Sequence, residues 1–312
     1  MSWRILVTAP YLQPVLGRFA PQLQAAGCDL VVPPVQERLE EHELLQVIGQ
    51  IDGVICGDDR FTRRVFEAAP NLKVISKWGT GVDSIDREAA AEFGVRICRT
   101  PGAFTVPVAD TVFAMMLQLA RRTAEMDAHM KAGRWEKIPG VTLSELTLGV
   151  VGMGAIGTEV ARRAKAFGMG VVGHDVREIP DAPATMVSLE VLLAAADVVT
   201  LHCDLNPTSH HLMNAGTLAR MKPTAWLLNT SRGPVVHEAA LVEALQSEWI
   251  AAAGLDVFEH EPLSPHSPLL GMSNVILAPH NSNSSPRAWQ RVHRNTIANL
   301  LDGLRAEARQ CA

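Results

Sequence analysis

The stretch "VVGMGAIGTEVARRAKAFG" (150–168) constrains this chain more than any other. Apolar β-branched residues lead into three glycines in GxGxxG spacing, Gly152, Gly154 and Gly157, and a helical pattern opens at once behind them. Such a triplet is a weak signal alone; between a strand and a helix it acquires a mechanism. Gly152 permits the tight turn, Gly154 lets the backbone approach a pyrophosphate, and Gly157 lets helix and strand pack closely. The helix N-terminus, with Ala155 and Ile156 in its first turn, presents unpaired N–H groups and a partial positive charge to phosphates. The following strand, "MGVVGH", ends at Asp175. A carboxylate about 20 residues beyond the loop accepts hydrogen bonds from a ribose 2′-OH and repels a 2′-phosphate. The expected ligand is therefore a dinucleotide, NAD ahead of NADP, with Arg177 close enough to soften that preference.

Around this motif, short apolar strands alternate with amphipathic helices. "RILVTA", "DLVVP", "GVIC", "KVIS" and "VRICRT" form one series, and "TLGVVGMGAIG", "GVVGHDV", "DVVTLHC", "AWLLNTS", "AAAGLDV" and "NVILAPH" form a second. Strands that alternate with helices read as parallel sheets. The two series predict an α/β protein with two doubly wound domains. Between them "VADTVFAMMLQLARRTAEMDAHMKAG" reads as one long helix, having no internal Gly or Pro before its end. The chain has 312 residues, enough for two domains, and a net charge of −5 without a lysine/arginine run, which argues against a nucleic-acid partner. "VFAMMLQLARR" is too short to cross a bilayer, and "MSWRILVTAPYLQPV" reads as a first strand in place of a signal peptide. Cys28, Cys56, Cys98, Cys203 and Cys311 lack CxxC spacing, so reduced thiols, no zinc site or other metal, and a cytoplasmic location are expected.

Three later strand ends carry chemically capable side chains: Arg232 in "WLLNTSRG", Asp256, Glu259 and Glu261 in "AAAGLDVFEHEPL", and His280 in "VILAPH". Ligands of doubly wound sheets bind beyond the carboxyl ends of the strands. Hydride exchange between a nicotinamide and a carbon-bound hydroxyl needs an acid/base for the hydroxyl proton, and histidine titrates nearest neutrality. A carboxylate beside it fixes its tautomer and favours the imidazolium. An anionic substrate also needs a cation, and arginine's fork matches a carboxylate. Arg232, His280 and either Glu259 or Glu261 supply these parts.

"VVGMGAIG", "LLNTSRGPVV", "GLDVFEHEPL" and "APH", in this order, resemble the D-isomer-specific 2-hydroxyacid dehydrogenase family, which includes phosphoglycerate dehydrogenases. "KWGTGVDSID" (77–86), "PGAFTVPVADT" (101–111) and "LHCDLNPTSHHLMN" (201–214) extend the resemblance over nearly the whole chain. It implies a Rossmann NAD-binding domain (99–285) inserted into a flavodoxin-like substrate domain (1–98 plus 286–312), and a homodimer built with the long helix from about Val106. It also implies an NAD-dependent oxidoreductase that interconverts a 2-oxo acid and a D-2-hydroxy acid. His280 would be the general acid/base, Glu261 its partner in preference to Glu259, and Arg232 the clamp for the substrate carboxylate. Asp256 would lie near the nicotinamide carboxamide, with Cys203 and Thr230 also lining the cofactor. Lys77, Trp78, Gly79, Thr80, Gly81 and Phe104 would line the substrate cleft. The chain ending soon after its last helix implies that the regulatory domains of longer phosphoglycerate dehydrogenases are absent.

Some residues depart from that pattern. Phe104 stands where asparagine is common, Asp110 where glutamate is usual, and Cys56–Gly57 where phosphoglycerate enzymes carry an arginine–serine pair. Asp58 and Asp59 next to that pair would repel a phosphate, by about 1 kcal/mol per charge pair in water. Together with Trp78 they favour a smaller or less charged 2-oxo acid over 3-phosphoglycerate. Asn281 and Asn283 add hydrogen-bonding groups beside His280. Two other classes share the resemblance: an NAD-sensing corepressor, and dehydrogenases acting on formate or phosphite. Glu261 opposes formate, whose enzymes pair their histidine with glutamine.

Overall fold

The computed structural model describes residues 2–310, so Cys311 lies outside the described residues. The chain divides into two compact units, residues 1–104 with 285–312, and residues 105–284.

In the first unit β1 (Trp3–Val7), α1 (Ala20–Ala25), β2 (Cys28–Val31), α2 (Glu41–Val47), β3 (Gly53–Cys56), α3 (Arg63–Glu67), β4 (Val74–Lys77), α4 (Arg87–Glu92) and β5 (Arg96–Cys98) alternate as the sequence predicts. The five strands pair in parallel in the order β2-β1-β3-β4-β5, a flavodoxin-like arrangement. β3 and β4 are buried throughout, so neither shows the apolar/polar alternation of a strand with one wet face. Leu6, Ile48, Val54, Phe61, Phe66 and Ile75 form the core on one side. The C-terminal helix belongs here: Ser76 Oγ on β4 donates to the Thr296 carbonyl at 2.7 Å. Residues 99–104, expected to open the other domain, stay with this unit. The Thr100 N–H and hydroxyl both donate to the Gly79 carbonyl at 2.9 Å, and Arg291 donates to the Ala103 carbonyl at 2.6 Å.

The second unit starts with α5 (Thr105–Arg121) and α6 (Thr123–Lys131). The single long helix read from the sequence is broken at Arg122, whose φ of 49° is left-handed. The break has a tertiary cause. The Val141 N–H returns to cap the Ala120 carbonyl at 2.9 Å, so α5 cannot run on past Arg121. Beyond it come β6 (Thr147–Val151), α7 (Ala155–Ala166), β7 (Gly170–His174), β8 (Thr185–Met186), α8 (Leu189–Ala195), β9 (Val198–Leu201), α9 (Ala215–Leu218), β10 (Trp226–Asn229), α10 (Glu238–Gln246), β11 (Ala252–Leu255) and β12 (Val275–Leu277). The helix Pro286–Gln310, α11, completes the chain. All seven strands are parallel in the order β12-β11-β10-β9-β6-β7-β8. β8, only two residues long, carries no periodicity to betray it in the sequence. The chain leaves β6 toward β7 and β8, then returns to β9 on the other flank of β6. That reversal is the switch point of a Rossmann sheet, beyond whose strand ends ligands bind. Apolar clusters cover both faces, one around Leu192, Leu227 and Leu241, the other around Val112, Val150 and Val160. No helix among the described residues is long and apolar enough to cross a membrane.

Candidate active site

The glycine loop lies at the carboxyl end of β6, beside the switch point. Gly152 has φ 92°, and a Cβ there would lie 2.6 Å from the Cys203 nitrogen and the His202 carbonyl carbon, so no other residue fits. A Cβ on Gly157 would sit 2.0 Å from the Gly152 carbonyl oxygen, whereas one on Gly154 would meet nothing within 4 Å. The loop is thus tight where helix meets strand and open where a pyrophosphate needs backbone access. Gly154 caps α7, which starts at Ala155. Asp175, just beyond β7, accepts the Met153 N–H at 2.8 Å and the Arg177 N–H at 2.9 Å, with the Arg177 guanidinium at 3.2 Å. Burial acts to raise its pKa, but the Arg177 side chain and the two N–H donors outweigh this and hold it below the ordinary carboxylate value. Two buried polar atoms at the ends of β9 and β10, His202 Nδ1 and Thr230 Oγ1, have no hydrogen-bond partner among the described residues. Burial pushes the His202 pKa down to about 3, so its ring is neutral, and raises the Cys203 thiol to about 11, leaving it protonated and inert. An open glycine loop, an ionised acid and unsatisfied buried polar atoms fit a dinucleotide.

Arg232, Glu261 and His280 follow β10, β11 and β12, three neighbouring strands. The Arg232 turn is shaped by Asn229, a buried residue that sequence reading passed over. Its Oδ1 accepts the Ser231 N–H and hydroxyl at 3.0 and 2.8 Å, and its amide donates to the Arg232 carbonyl at 2.9 Å. Glu261 Oε2 lies 2.9 Å from His280 Nδ1, while Oε1 accepts the Phe258 N–H at 3.0 Å. With both oxygens engaged the carboxylate is fixed, and an acceptor-only partner places the ring proton on Nδ1. Glu259 pairs with His211.

His280 itself is left-handed, with φ 50°, a conformation costing a non-glycine residue of order 1 kcal/mol or more. Asp256 holds it there. The Asp256 carbonyl accepts the His280 N–H at 2.7 Å. Its carboxylate, 1% exposed, accepts the Asn281 N–H at 2.8 Å, the Ser282 N–H at 2.9 Å and a short bond from the Ser282 hydroxyl. Both oxygens of Asp256, which the resemblance assigns to the nicotinamide carboxamide, are thus engaged by the strap behind the histidine. Asn281 enters through its backbone.

In the first unit, Lys77 ends β4 and Trp78 follows it. Lys77 Nζ, 3% exposed, pairs with Asp58 at 3.0 Å. Trp78 donates its indole N–H to His293 Nδ1 at 2.9 Å and packs against Tyr11, Phe104 and Trp289 with centroids 5.3–5.9 Å apart. The turn at Gly79–Gly81 is tied to Thr100, and Thr80 Oγ1 donates to the Thr100 carbonyl at 3.2 Å. The expectation that Asp58 and Asp59 together repel a phosphate is overturned. Asp59 is fully buried and accepts the Thr8 hydroxyl at 2.7 Å and the Leu39 and Gly57 N–H groups at 2.6 and 3.0 Å. Burial still raises its pKa against those donors. Asp110, in the second unit, pairs with Arg163 on α7.

A Rossmann sheet with this loop, and a histidine–carboxylate pair and an arginine at adjoining strand ends, defines a dinucleotide-dependent oxidoreductase. Residues 113–282 match the family model for the NAD binding domain of D-isomer specific 2-hydroxyacid dehydrogenases. The chain is 38% identical over 298 residues to a glyoxylate reductase of Thermofilum pendens, covering 90% of this chain and 86% of that protein. It is also 38% identical over 274 residues to a hydroxypyruvate reductase of Thermotoga maritima, covering 86% and 90%. The structure of a D-lactate dehydrogenase from Aquifex aeolicus complexed with NAD and lactic acid superposes with a TM-score of 0.89 at 26% identity, covering 98% and 97%. The chain belongs to the D-isomer specific 2-hydroxyacid dehydrogenase family. It is an NAD-dependent oxidoreductase that interconverts 2-oxo and 2-hydroxy acids.

Proposed function

We propose that this enzyme reduces a small, unphosphorylated 2-oxo acid of the glyoxylate or hydroxypyruvate kind to the D-2-hydroxy acid, with NADH preferred over NADPH. The observation that carries the residue assignment is the 2.9 Å contact between His280 Nδ1 and Glu261 Oε2 at a strand end beside that of Arg232. NADH, when bound, would supply the hydride for C2 of the substrate. The Arg232 guanidinium pairs with the substrate carboxylate and polarises the carbonyl. His280, as imidazolium, delivers the proton at Nε2 to the carbonyl oxygen, and Glu261 stabilises the charged ring through Nδ1. Gly152, Gly154, Ala155, Ile156, Gly157, Asp175, Cys203, Thr230 and the Asp256 region hold the cofactor; Asp175 favours the free 2′-OH.

The first unit is the substrate domain, with Lys77, Trp78, the Gly79–Thr80–Gly81 turn and Phe104 as substrate contacts. Asp58 offsets Lys77 and the neighbouring rings are apolar, an environment poor for a phosphate dianion. The working form is a cytoplasmic homodimer. α6 has no buried residue, and Met130 and Trp135 are exposed at 51% and 83%, surface a second copy would cover.

NADH and NADPH oxidation against glyoxylate, pyruvate, hydroxypyruvate, 2-oxoglutarate and 3-phosphohydroxypyruvate tests the reading. Fastest turnover is expected on glyoxylate or hydroxypyruvate with NADH. A preference for the phosphorylated acid would overturn the substrate assignment, and NADH binding without any turnover would favour a cofactor sensor.

A further inference from the structure

The loop that carries Glu261 is gripped by a second histidine–carboxylate pair two residues upstream. Glu259 Oε1 lies 2.5 Å from His211 Nε2, and Oε2 accepts the Glu238 N–H at 3.0 Å. The grip is reciprocal, because the Glu238 carboxylate accepts the Glu259 N–H at 3.2 Å. His211 is itself left-handed, φ 51°, with its N–H on the Pro234 carbonyl at 2.8 Å. The charged and titratable groups facing Glu259 are His211 and Glu238, with His237 meeting the His211 ring edge-on at 4.6 Å and the His210 ring tilted against it at 3.9 Å. Below the loop, a Cβ on Gly233 would lie 1.7 Å from the Phe258 carbonyl oxygen, so the 258–259 peptide rests directly on the residue after Arg232. The Phe258 N–H then fixes Glu261.

We propose that Glu259 and His211 are positioning residues for the reaction: they lock the 258–261 loop in register with Arg232, so that Glu261 meets His280 Nδ1. This rests on the assignment of His280 as the proton donor. The chain of contacts runs from His211 to Glu259, along two peptides to Glu261, and on to the imidazole. Each link constrains the next, because Glu261 has one oxygen on its own loop and the other on His280. The carboxylate form of Glu259 is the one present. Burial acts against it, but the Glu238 N–H and His211 outweigh burial and hold its pKa below the ordinary value. A loosened loop would let Glu261 drift from Nδ1, and the imidazolium would lose its stabilising partner.

The test uses the full-length enzyme with its best 2-oxo acid and follows kcat against pH for the wild type, Glu259→Gln and His211→Asn. Asparagine tolerates a left-handed backbone, so His211→Asn carries the test if Glu259→Gln fails to fold. Both variants should lower kcat by about tenfold and move the alkaline limb of the profile to lower pH by about one unit, with the NADH dissociation constant within about twofold. The limb moves down because an imidazolium without its carboxylate gives up its proton at lower pH. A purely structural role would lower the melting temperature and leave the limb where it is, and an unmoved limb in both variants overturns the proposal. His280→Gln run alongside separates the two levels. If it too turns over normally, the assignment of His280 has failed, and with it the ground for this inference.

Discussion

Two histidines, one in each unit, use the same ring nitrogen in opposite ways. His280 Nδ1 faces the Glu261 carboxylate, which can only accept, so that nitrogen carries a proton. His293 Nδ1 faces the Trp78 indole N–H, which can only donate, so that nitrogen must be bare. Burial first, and then Arg18, push the His293 pKa below its ordinary value. One ring holds a proton on Nδ1 and the other is kept from taking one there. The partner atom, not the residue type, decides a histidine's work, and a partner is a tertiary fact.

The largest expected effect removes the proposed proton donor. His280→Gln should lower kcat by about 10²–10⁴, the span for loss of a general acid, while NADH titration shows normal binding; near-normal turnover would end the contrast at once. Glu261→Gln should cost roughly 10–10² in kcat, from a lost charge-assisted hydrogen bond of about 1.5–3 kcal/mol. It should also shift the alkaline limb downward, and a limb left in place would show that the carboxylate only orients the ring. Ser282→Ala removes one donor to Asp256 behind His280. A few-fold fall in kcat is expected from about 1 kcal/mol of lost strap, with the substrate KM little changed, as steady-state kinetics will show.

The smallest effect sharpens the other side of the comparison. A histidine whose folded pKa is depressed contributes stability fully above its unfolded pKa of about 6.5, and loses it as pH falls toward the folded value. Urea unfolding at pH 7 and pH 5 should therefore show an acid loss in the wild type that is smaller in His293→Gln, where the amide oxygen accepts the indole proton at either pH. The difference should be about 1 kcal/mol, one hydrogen bond's worth. Equal acid losses in the two proteins would mean that His293 is not held neutral.

Much of the site was legible because its signals are local. The glycine loop, α7 and Asp175 follow one another within a single βαβ unit, and each glycine answers to a contact along that unit. Arg232, Glu261 and His280 stood out as candidates because each follows an apolar strand, and the fold sets Glu261 against His280. The choice between Glu259 and Glu261 was not legible from composition, since two glutamates on one loop differ only in which way the loop turns them. Their partners, His211 and His280, stand 48 and 19 residues away in the chain. The same holds for Asp59, which looks like one of two surface acids beside Asp58 until Thr8 and Leu39 are folded over it.

By itself the sequence determined the alternation of strands and helices, the parallel sheets, the dinucleotide loop and a set of candidate residues for the chemistry. Periodicity and glycine spacing act over one or two elements, so they survive in a linear reading. Only the tertiary structure decided that the long helix breaks at Arg122, that Asp256 holds His280 in a left-handed turn, and which carboxylate serves which histidine. Those outcomes depend on hydrogen-bond partners brought together by sheet order. Burial, which sets their strength, exists only once the sheets are covered.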